Sequence, residues 1–316
     1  MVILSWENQT VRVEFVLQGF SSIRQLNIFL FMIILVFYIL TVSGNILIVL
    51  LVLVSHHLHT PMYFFLVNLS FLEIWYTSNV SPKTLLIIIA EQKTISVAGC
   101  LAQFYFFGSL AATECLLLAV MSYDRYLAIS QPLHYCVLMT GSLCIRLAAG
   151  SWFCCFLLTA STVVLLCRLT FCGPYEIDHF FCDFTPLIHL SCSDTSVTEI
   201  IAFATSSAVT LVPFLLIIAS YSCILSAILR IPSGTGWKRA FSTCSSHLTV
   251  VMVFYGALIA TYLVPSANTS QLLRKGASLL YTVLTPTLNS IIYSLRNTDI
   301  HEALKKCLRK KSDFLR

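Results

Sequence analysis

The sequence predicts an all-α membrane protein: a bundle of seven transmembrane helices with its N-terminus outside and an amphipathic C-terminal helix on the inner leaflet. Composition is the first reason, because 58% of the 316 residues are apolar and only 10% are charged, whereas soluble domains carry about 25% charged residues. Seven long apolar runs are the second, and the distribution of Lys and Arg between the loops is the third. The buried helices of a soluble protein do not account for this combination.

Each apolar run is long enough to cross a bilayer, since about 20 apolar residues span the hydrocarbon core. Helices are expected because backbone polar groups inside a membrane must be satisfied within the segment. The runs cover residues 27–54, 62–89, 99–123, 143–166, 197–229, 240–264 and 272–295. They divide the chain into an extracellular N-terminal tail (1–26), a seven-transmembrane domain (27–295) and a cytoplasmic amphipathic helix and tail (296–316).

The basic residues set the orientation. With the N-terminus outside, most of the 19 Lys and Arg residues fall on the cytosolic side, as the positive-inside rule requires. The net charge of +5 is therefore mostly a basic inner face, which suits anionic membrane lipid and not nucleic acid. The first 25 residues lack a cleavable signal pattern, so the first helix is expected to direct insertion.

The N-terminal tail carries the triplet Asn8-Gln9-Thr10. This is an acceptor for N-glycosylation, and the tail should face the lumen during synthesis. Asn8 is therefore the expected glycosylation site. A second triplet at Asn268 lies in a short outer loop, closer to the membrane.

Thirteen cysteines divide by compartment. Cys100, Cys172, Cys182 and Cys192 lie on the oxidising side, where disulfides persist, with Cys167 near the same boundary. Four cysteines allow three pairings, and the residues alone do not choose among them.

The inner end of the third helix carries Asp124-Arg125-Tyr126. Charged side chains are costly in hydrocarbon, so this triplet is interpreted as an ion pair at the helix end that opens when a cytosolic partner binds. A simple positive-inside anchor is the alternative. The following stretch LAISQPLHY (127–135) favours the ion pair that opens, which we call the latch.

Two acids, Glu73 and Glu114, are expected deep in the membrane. Intramembrane acids are rare and usually functional. Two unpaired carboxylates would be expensive there, so they should either share a cation or be protonated.

The chain ends in an amphipathic stretch. Ile300, Ala303 and Leu304 fall on one face, and Lys305 and Lys306 begin a basic face. This pattern is typical of a helix that lies on the inner leaflet.

Five blocks carry a family resemblance, and they are PMYFFLVNLSFLE (61–73), MSYDRYLAI (121–129), CGPYEIDHFFCD (172–183), KRAFSTCSSHL (238–248) and PTLNSIIYSLRN (286–297). In their content and order, the chain resembles the vertebrate odorant (olfactory) receptors, a branch of the rhodopsin-like seven-helix receptors. The resemblance covers nearly the whole chain. It implies the disulfide pairings Cys100–Cys182 and Cys172–Cys192.

The resemblance implies a ligand pocket between the outer halves of helices three, five, six and seven. On helix three the candidate side chains follow the i, i+3, i+4, i+7 spacing of one face, which more often marks a helix–helix contact. Phe107 stands where amine-binding relatives carry an aspartate, which argues against an amine ligand. The expected lining is Phe104, Phe107, Gly108, Ala111, Ala112, Thr205, Ser206, Val209, Leu258, Ile259, Tyr262, Ser278 and Thr282.

A G protein is the expected cytosolic partner. The residues that the resemblance assigns to coupling and activation are Asp124, Arg125, Tyr126, Tyr221, Lys238, Arg239, His247, Asn289 and Tyr293. Lys238 and Arg239 suit acidic groups on that partner, with interfacial anchoring as the alternative. Ser290 departs from the usual Asn-Pro-x-x-Tyr pattern and removes a source of helix kinking, for which Pro286 is a replacement.

The resemblance also implies a sodium site at Glu73 and Glu114, with Asn45 and Asn289 nearby. A protonated structural carboxyl is the alternative. No other cofactor is expected, and the histidines at positions 56, 57 and 59 are interpreted as solvated loop residues.

The expected function is an odorant receptor in the plasma membrane, in olfactory cilia by resemblance. It would bind small, mostly apolar volatile molecules and activate a stimulatory, olfactory-type G protein that raises cyclic AMP. A rhodopsin-like receptor for another small ligand is the first alternative. A transporter would show a polar path or repeated halves, and an enzyme would show a nucleophile–base pair or metal-ligand spacing; neither pattern is evident.

Overall fold

The computed structural model describes residues 14–20, 24–89, 93–172, 175–229, 235–262, 271–296 and 298–314. Within them, seven helical segments form the bundle. Six are single helices, and the seventh runs from Gln271 to Arg296 in several parts. The six are α1 (Arg24–Val54), α2 (Pro61–Ile89), α3 (Val97–Ser130), α5 (Gly141–Leu166), α7 (Ser196–Leu229) and α8 (Thr235–Tyr262).

Short helices lie in the loops. The inner loop after α3 contains α4 (Tyr135–Leu138), the long outer loop after α5 contains α6 (Phe184–His189), and the chain ends in α11 (Thr298–Phe314). The predicted ends of the membrane helices agree with the observed ones to within a few residues, except that α3 extends to Ser130 and α8 begins at Thr235.

The outside of the bundle is apolar. Phe29, Leu53 and Phe203 are between 62% and 75% exposed, which is unfavourable in water and favourable against lipid tails. Among the described residues, four spans are long and apolar enough to cross a membrane, and Cys244–Ile259 is a shorter apolar stretch; the four are Gln25–Val54, Val97–Ser130, Gly141–Leu166 and Ser196–Leu229.

The seventh segment is irregular. It consists of α9 (Gln271–Leu279), a π-helical turn (Leu280–Leu284), α10 (Thr285–Ile291) and a second π-helical turn (Ile292–Arg296). Pro286 stands in the first turn of α10, where the ring is tolerated. The predicted replacement for the missing kink therefore follows directly after a π-helical turn, a feature that is frequent at functional sites.

A three-stranded sheet covers the outer end of the bundle. Strand β1 (Glu14–Leu17) lies in the centre, antiparallel to β2 (Thr94–Ser96) and parallel to β3 (Glu176–Ile177). Phe15 and Leu17, which belong to β1, are fully buried. Within the predicted extracellular tail (1–26), residues 14–17 are therefore ordered as a strand, because their apolar side chains and backbone hydrogen bonds are used in packing. Asn8 lies outside the described residues.

Two disulfides fix the second outer loop, the segment between α5 and α7. Cys100, at the start of α3, is bonded to Cys182, and Cys172 is bonded to Cys192. Both pairings that the family resemblance implied are confirmed. The first ties the loop to the central helix, and the second closes a loop within it.

Helix α11 shows the expected amphipathic pattern. Ile300 and Ala303 are fully buried, while Lys305, Lys306 and Arg309 are exposed.

Candidate functional site

The inner end of α3 carries a closed ion pair. Arg125 Nε donates to Asp124 Oδ2 at 2.9 Å, and Tyr135 Oη donates to Asp124 Oδ1 at 2.7 Å. Asp124 is fully buried. Tyr135 was not among the predicted site residues, although it closes the LAISQPLHY stretch that favoured the latch.

Tyr135 remains a hydrogen-bond donor over the physiological pH range. Burial, and then the adjacent Asp124 carboxylate, raise the pKa of its phenol well above the usual range, because both disfavour a second negative charge there. The α4 loop therefore contributes a neutral donor that binds one oxygen of the Asp124 carboxylate, while Arg125 binds the other.

A second polar pair lies between α7 and α8. Tyr221 Oη and His247 Nδ1 are 2.6 Å apart, with the two rings nearly parallel at 14°. Tyr126 and Tyr221 pack against the same apolar cluster of Ile224, Ile228 and Cys244. The structure thus brings three predicted coupling residues to one region near the latch.

Other predicted coupling residues have different surroundings. Tyr293 is 2% exposed, and its hydroxyl has no hydrogen-bond partner among the described residues. The backbone of Lys238 and Arg239 lies in the first turns of α8, whereas their side chains fall outside the described part of the chain.

The deep acids meet at one amide. Asn289 Nδ2 donates to Glu73 Oε1 at 2.8 Å and to Glu114 Oε1 at 3.2 Å. Asn45 Nδ2 donates to Glu73 Oε2 at 2.9 Å. All four residues are at most 2% exposed, so residues from α1, α2, α3 and α10 converge as predicted.

This oxygen-rich cluster suits a hard monovalent cation. Hard cations prefer carboxylate and carbonyl oxygens. Asn289 Oδ1 is buried without a hydrogen-bond partner in the described part of the chain, and it adds a further oxygen beside the two carboxylates. The residues present therefore fit the sodium ion that the family resemblance implied.

An aromatic cluster lies above the acids, toward the outer side. The Phe107 ring is 5.1 Å from Tyr76, 4.8 Å from Phe181 and 5.8 Å from Tyr281, measured between ring centroids. Phe254 extends the cluster at 6.2 Å from Tyr281. Of these five residues, only Phe107 was predicted to line the site; Phe181 lies in the CGPYEIDHFFCD block, but no periodic pattern marks the others.

The small residues of α3 do not share one role. A Cβ atom on Gly108 would lie 3.2 Å from Thr159 Cγ2 in α5, so this glycine allows close helix packing. The structure thus adds a packing role for Gly108, and its place in the ligand pocket stays a prediction. Ala112 is buried and Ala111 is half-buried, and Phe104 packs against Leu166 and Leu169.

The candidate polar groups mostly bond to their own helices. Thr205 donates to Ile201 O at 2.8 Å, Ser206 to Phe203 O at 3.1 Å and Thr282 to Ser278 O at 2.7 Å. This is the common behaviour of hydroxyl groups in helices, and it leaves their oxygens to accept from a ligand.

The remaining predicted lining residues are varied. Ser278 Oγ lies 3.2 Å from His179 Nε2, Val209 and Leu258 are half-buried, and Ser206 is exposed. Ile259 is 49% exposed. Tyr262 is the last residue of α8, and its side chain lies outside the described residues.

Comparison with known proteins places this architecture in a family. The family model for the olfactory receptor matches residues 34–311. The chain belongs to the olfactory receptor family. It is 50% identical over 308 residues to Homo sapiens olfactory receptor 11A1, with 98% of this chain and 97% of that relative covered. Rattus norvegicus olfactory receptor 287 is 48% identical over 305 residues, covering 96% and 98%.

The fold also matches a solved seven-helix receptor. Squid rhodopsin superposes with a TM-score of 0.73 over 90% of this chain and 81% of that chain, at 15% sequence identity. The predicted seven-transmembrane fold is confirmed. As an olfactory receptor, the protein is a multi-pass plasma-membrane receptor for a small molecule, acts through a G protein and is not an enzyme.

Proposed function

We propose that this olfactory receptor binds small, mostly apolar volatile molecules and activates a stimulatory, olfactory-type G protein that raises cyclic AMP. The observation that carries the ligand class is the aromatic cluster around Phe107, together with the absence of acids from the outer half of α3 (97–113). Small-molecule sites are mostly apolar with a few directing polar groups, and Thr205, Ser278 and Thr282 supply such groups here.

The ligand acts by favouring one of two states. In the resting state, Asp124 holds Arg125 and Tyr135, and Tyr221 pairs with His247. In the active state the inner end of α8 moves outward, the Asp124–Arg125 pair opens and Arg125 contacts the G protein. A ligand shifts this equilibrium only by its differential affinity for the two states.

A sodium ion at Glu73 and Glu114 belongs to the same proposal. The ion would be held by the two carboxylates with Asn45 and Asn289, and it would offset the repulsion between two buried acids. Since the ion joins groups from four helical segments, it favours the resting arrangement. Protonation of one carboxyl is the alternative that the same geometry permits.

The test is a cyclic-AMP assay of the receptor against a panel of volatile alcohols, aldehydes, ketones and hydrocarbons. We expect concentration-dependent responses to members of the panel. Arg125→Ala should remove those responses while the surface level stays unchanged. A full response of Arg125→Ala at matched surface level contradicts the coupling assignment, and responses confined to non-volatile polar ligands contradict the ligand class.

A further inference from the structure

One buried ammonium group joins three parts of the outer face. Lys275, in α9, is 6% exposed, and its Nζ donates to Asp178 Oδ1 at 2.8 Å. The same Nζ donates to the carbonyl oxygens of Gly19 at 3.0 Å and Gln18 at 3.4 Å. A lysine has three N–H donors, and these three acceptors match them. We refer to Lys275, Asp178 and the two carbonyl groups as the outer clamp.

The loop segment beyond Asp178 leads to the aromatic cluster around Phe107, where the proposed function places the ligand; we call this place the ligand chamber. His179 lies 3.2 Å from Ser278, one turn along from Lys275. Phe180 and Phe181 are both buried, and the Phe181 ring lies 4.8 Å from Phe107. The clamp therefore holds the chain within three residues of an aromatic wall of the chamber.

The N-terminal segment supports the same wall from the other side. Phe20 stacks on Phe180, with ring centroids 4.8 Å apart and an interplanar angle of 26°. Residues 18 and 19, whose carbonyl groups bind Lys275, precede Phe20 immediately. One cation thus fixes both rings of this stack, through Asp178 on one side and through the N-terminal segment on the other.

The two ends of the ion pair differ in their access to water. The Lys275 side chain is 8% exposed and the Asp178 side chain 34%. A buried charge that loses its partners is strongly destabilising, whereas a carboxylate at this exposure remains solvated. Replacement of Lys275 by Met is therefore the cleaner way to open the clamp, since it removes the buried charge and leaves Asp178 facing water.

We propose that Lys275 is a positioning residue for ligand selection: it fixes Phe180 and Phe181 over the chamber and so determines which ligands fit beneath them. The location of the chamber rests on the proposed function, but the clamp itself does not.

The first arm of the test needs no ligand. Hydrogen exchange of the purified full-length receptor is followed in peptides covering 14–20 and 175–183. In Lys275→Met, exchange in both segments should rise roughly ten- to hundredfold, as for loss of hydrogen bonds to a charged group. Lys275→Arg keeps the charge and several donors and should stay near wild type. Unchanged exchange in both segments of Lys275→Met overturns the proposal.

Lys93→Met is the matched control. Lys93 lines the same open cavity of about 470 Å³ as Lys275, but it is exposed and forms no ion pair among the described residues. Its replacement should leave both segments unchanged. Should Lys275→Met not fold, Asp178→Asn decides, because it keeps the size of the side chain and should raise exchange in the same two segments by a smaller factor.

The second arm measures selectivity. Straight-chain alcohols and aldehydes of increasing length are titrated against each variant at equal surface level. In Lys275→Met, the potency ratio between long and short agonists should change about fivefold or more, with the Lys93→Met ratio unchanged. A uniform loss of potency with a constant ratio reduces Lys275 to a structural role and overturns the proposal. A wild-type receptor that ignores every volatile contradicts the proposed function, while the exchange arm still decides the clamp.

Discussion

At the scale of single residues, the latch shows how a loop contributes to a helix end. Asp124 and Arg125 are adjacent in sequence, and their pairing could be predicted from the triplet itself. The hydrogen bond from Tyr135 could not, because it depends on where the chain turns after α3. Two donors, Arg125 and Tyr135, therefore bind one buried carboxylate, and the proposed function assigns this arrangement to the resting state.

Tyr135→Phe should raise ligand-independent signalling. The change removes one hydrogen bond, about 1 kcal/mol, from the resting state only, and so favours the active state by roughly fivefold. Basal cyclic AMP at matched surface level measures the effect. Tyr123→Phe is the control, because Tyr123 is exposed and its ring lies beside Tyr126. Equal basal activity of the two variants would remove Tyr135 from the latch.

At the scale of elements, Gly108 and Ala112 show that two small residues of α3 can have different surroundings. A Cβ atom on Gly108 would lie 3.2 Å from Thr159 in α5, which is a tight contact, whereas Ala112, one turn away, is 8% exposed. Both are small and lie on the same predicted face, and the family resemblance assigned both to a ligand pocket. Small residues at helix contacts in membranes allow close backbone approach, and only the position of α5 separates the two cases.

Gly108→Val and Ala112→Leu should therefore fail in different ways. Gly108→Val should push α3 from α5 and reduce surface delivery, with overpacking of about 1–3 kcal/mol. Ala112→Leu should keep delivery and lose responses to large agonists before small ones. Surface staining together with dose–response curves distinguishes them. Normal delivery of Gly108→Val, with loss of only large agonists, would contradict the packing role and support the prediction that Gly108 lines the pocket.

The second outer loop should depend on its link to α3. Cys100→Ser or Cys182→Ser should cost about 2–5 kcal/mol, in the range of a lost native disulfide, and retain the receptor in the secretory pathway. Serine at the free, exposed Cys167 is the control and should be delivered normally. Wild-type surface levels and agonist responses of both single mutants would show that the bond is dispensable.

At the scale of the whole molecule, the buried acids link segments that are far apart in sequence. Asn45, Glu73, Glu114 and Asn289 come from four helical segments and meet within hydrogen-bonding distance. We therefore expect a change at this junction to affect the packing of all four segments.

Replacement of both acids by Gln should remove the sensitivity of signalling to sodium. Under the proposed ion site, sodium favours the resting state of the wild-type receptor, so that basal cyclic AMP should fall as sodium replaces a larger cation at constant ionic strength. Glu73→Gln/Glu114→Gln should respond equally in both salts. An unchanged sodium dependence in the double variant would reject the ion and favour a protonated carboxyl.

The sequence by itself determined the membrane class, the helical segments, the orientation and the family. These follow from composition, apolar length and local motifs, which are properties of contiguous residues. It also identified the two acids and the Asp124–Arg125 pair, because charges in apolar runs stand out without any knowledge of the fold. Both disulfide pairings followed from the family resemblance and not from the residues alone.

Only the tertiary structure decided what depends on distant segments. Strand β1 has four residues, too few for a periodic pattern, and it forms because loops near residues 94 and 176 lie on either side. The outer clamp, the aromatic wall and the contact of Gly108 with α5 arise in the same way, from chain segments that meet across the bundle. Their energies come from desolvation and packing between elements, and no local pattern records which elements will be neighbours.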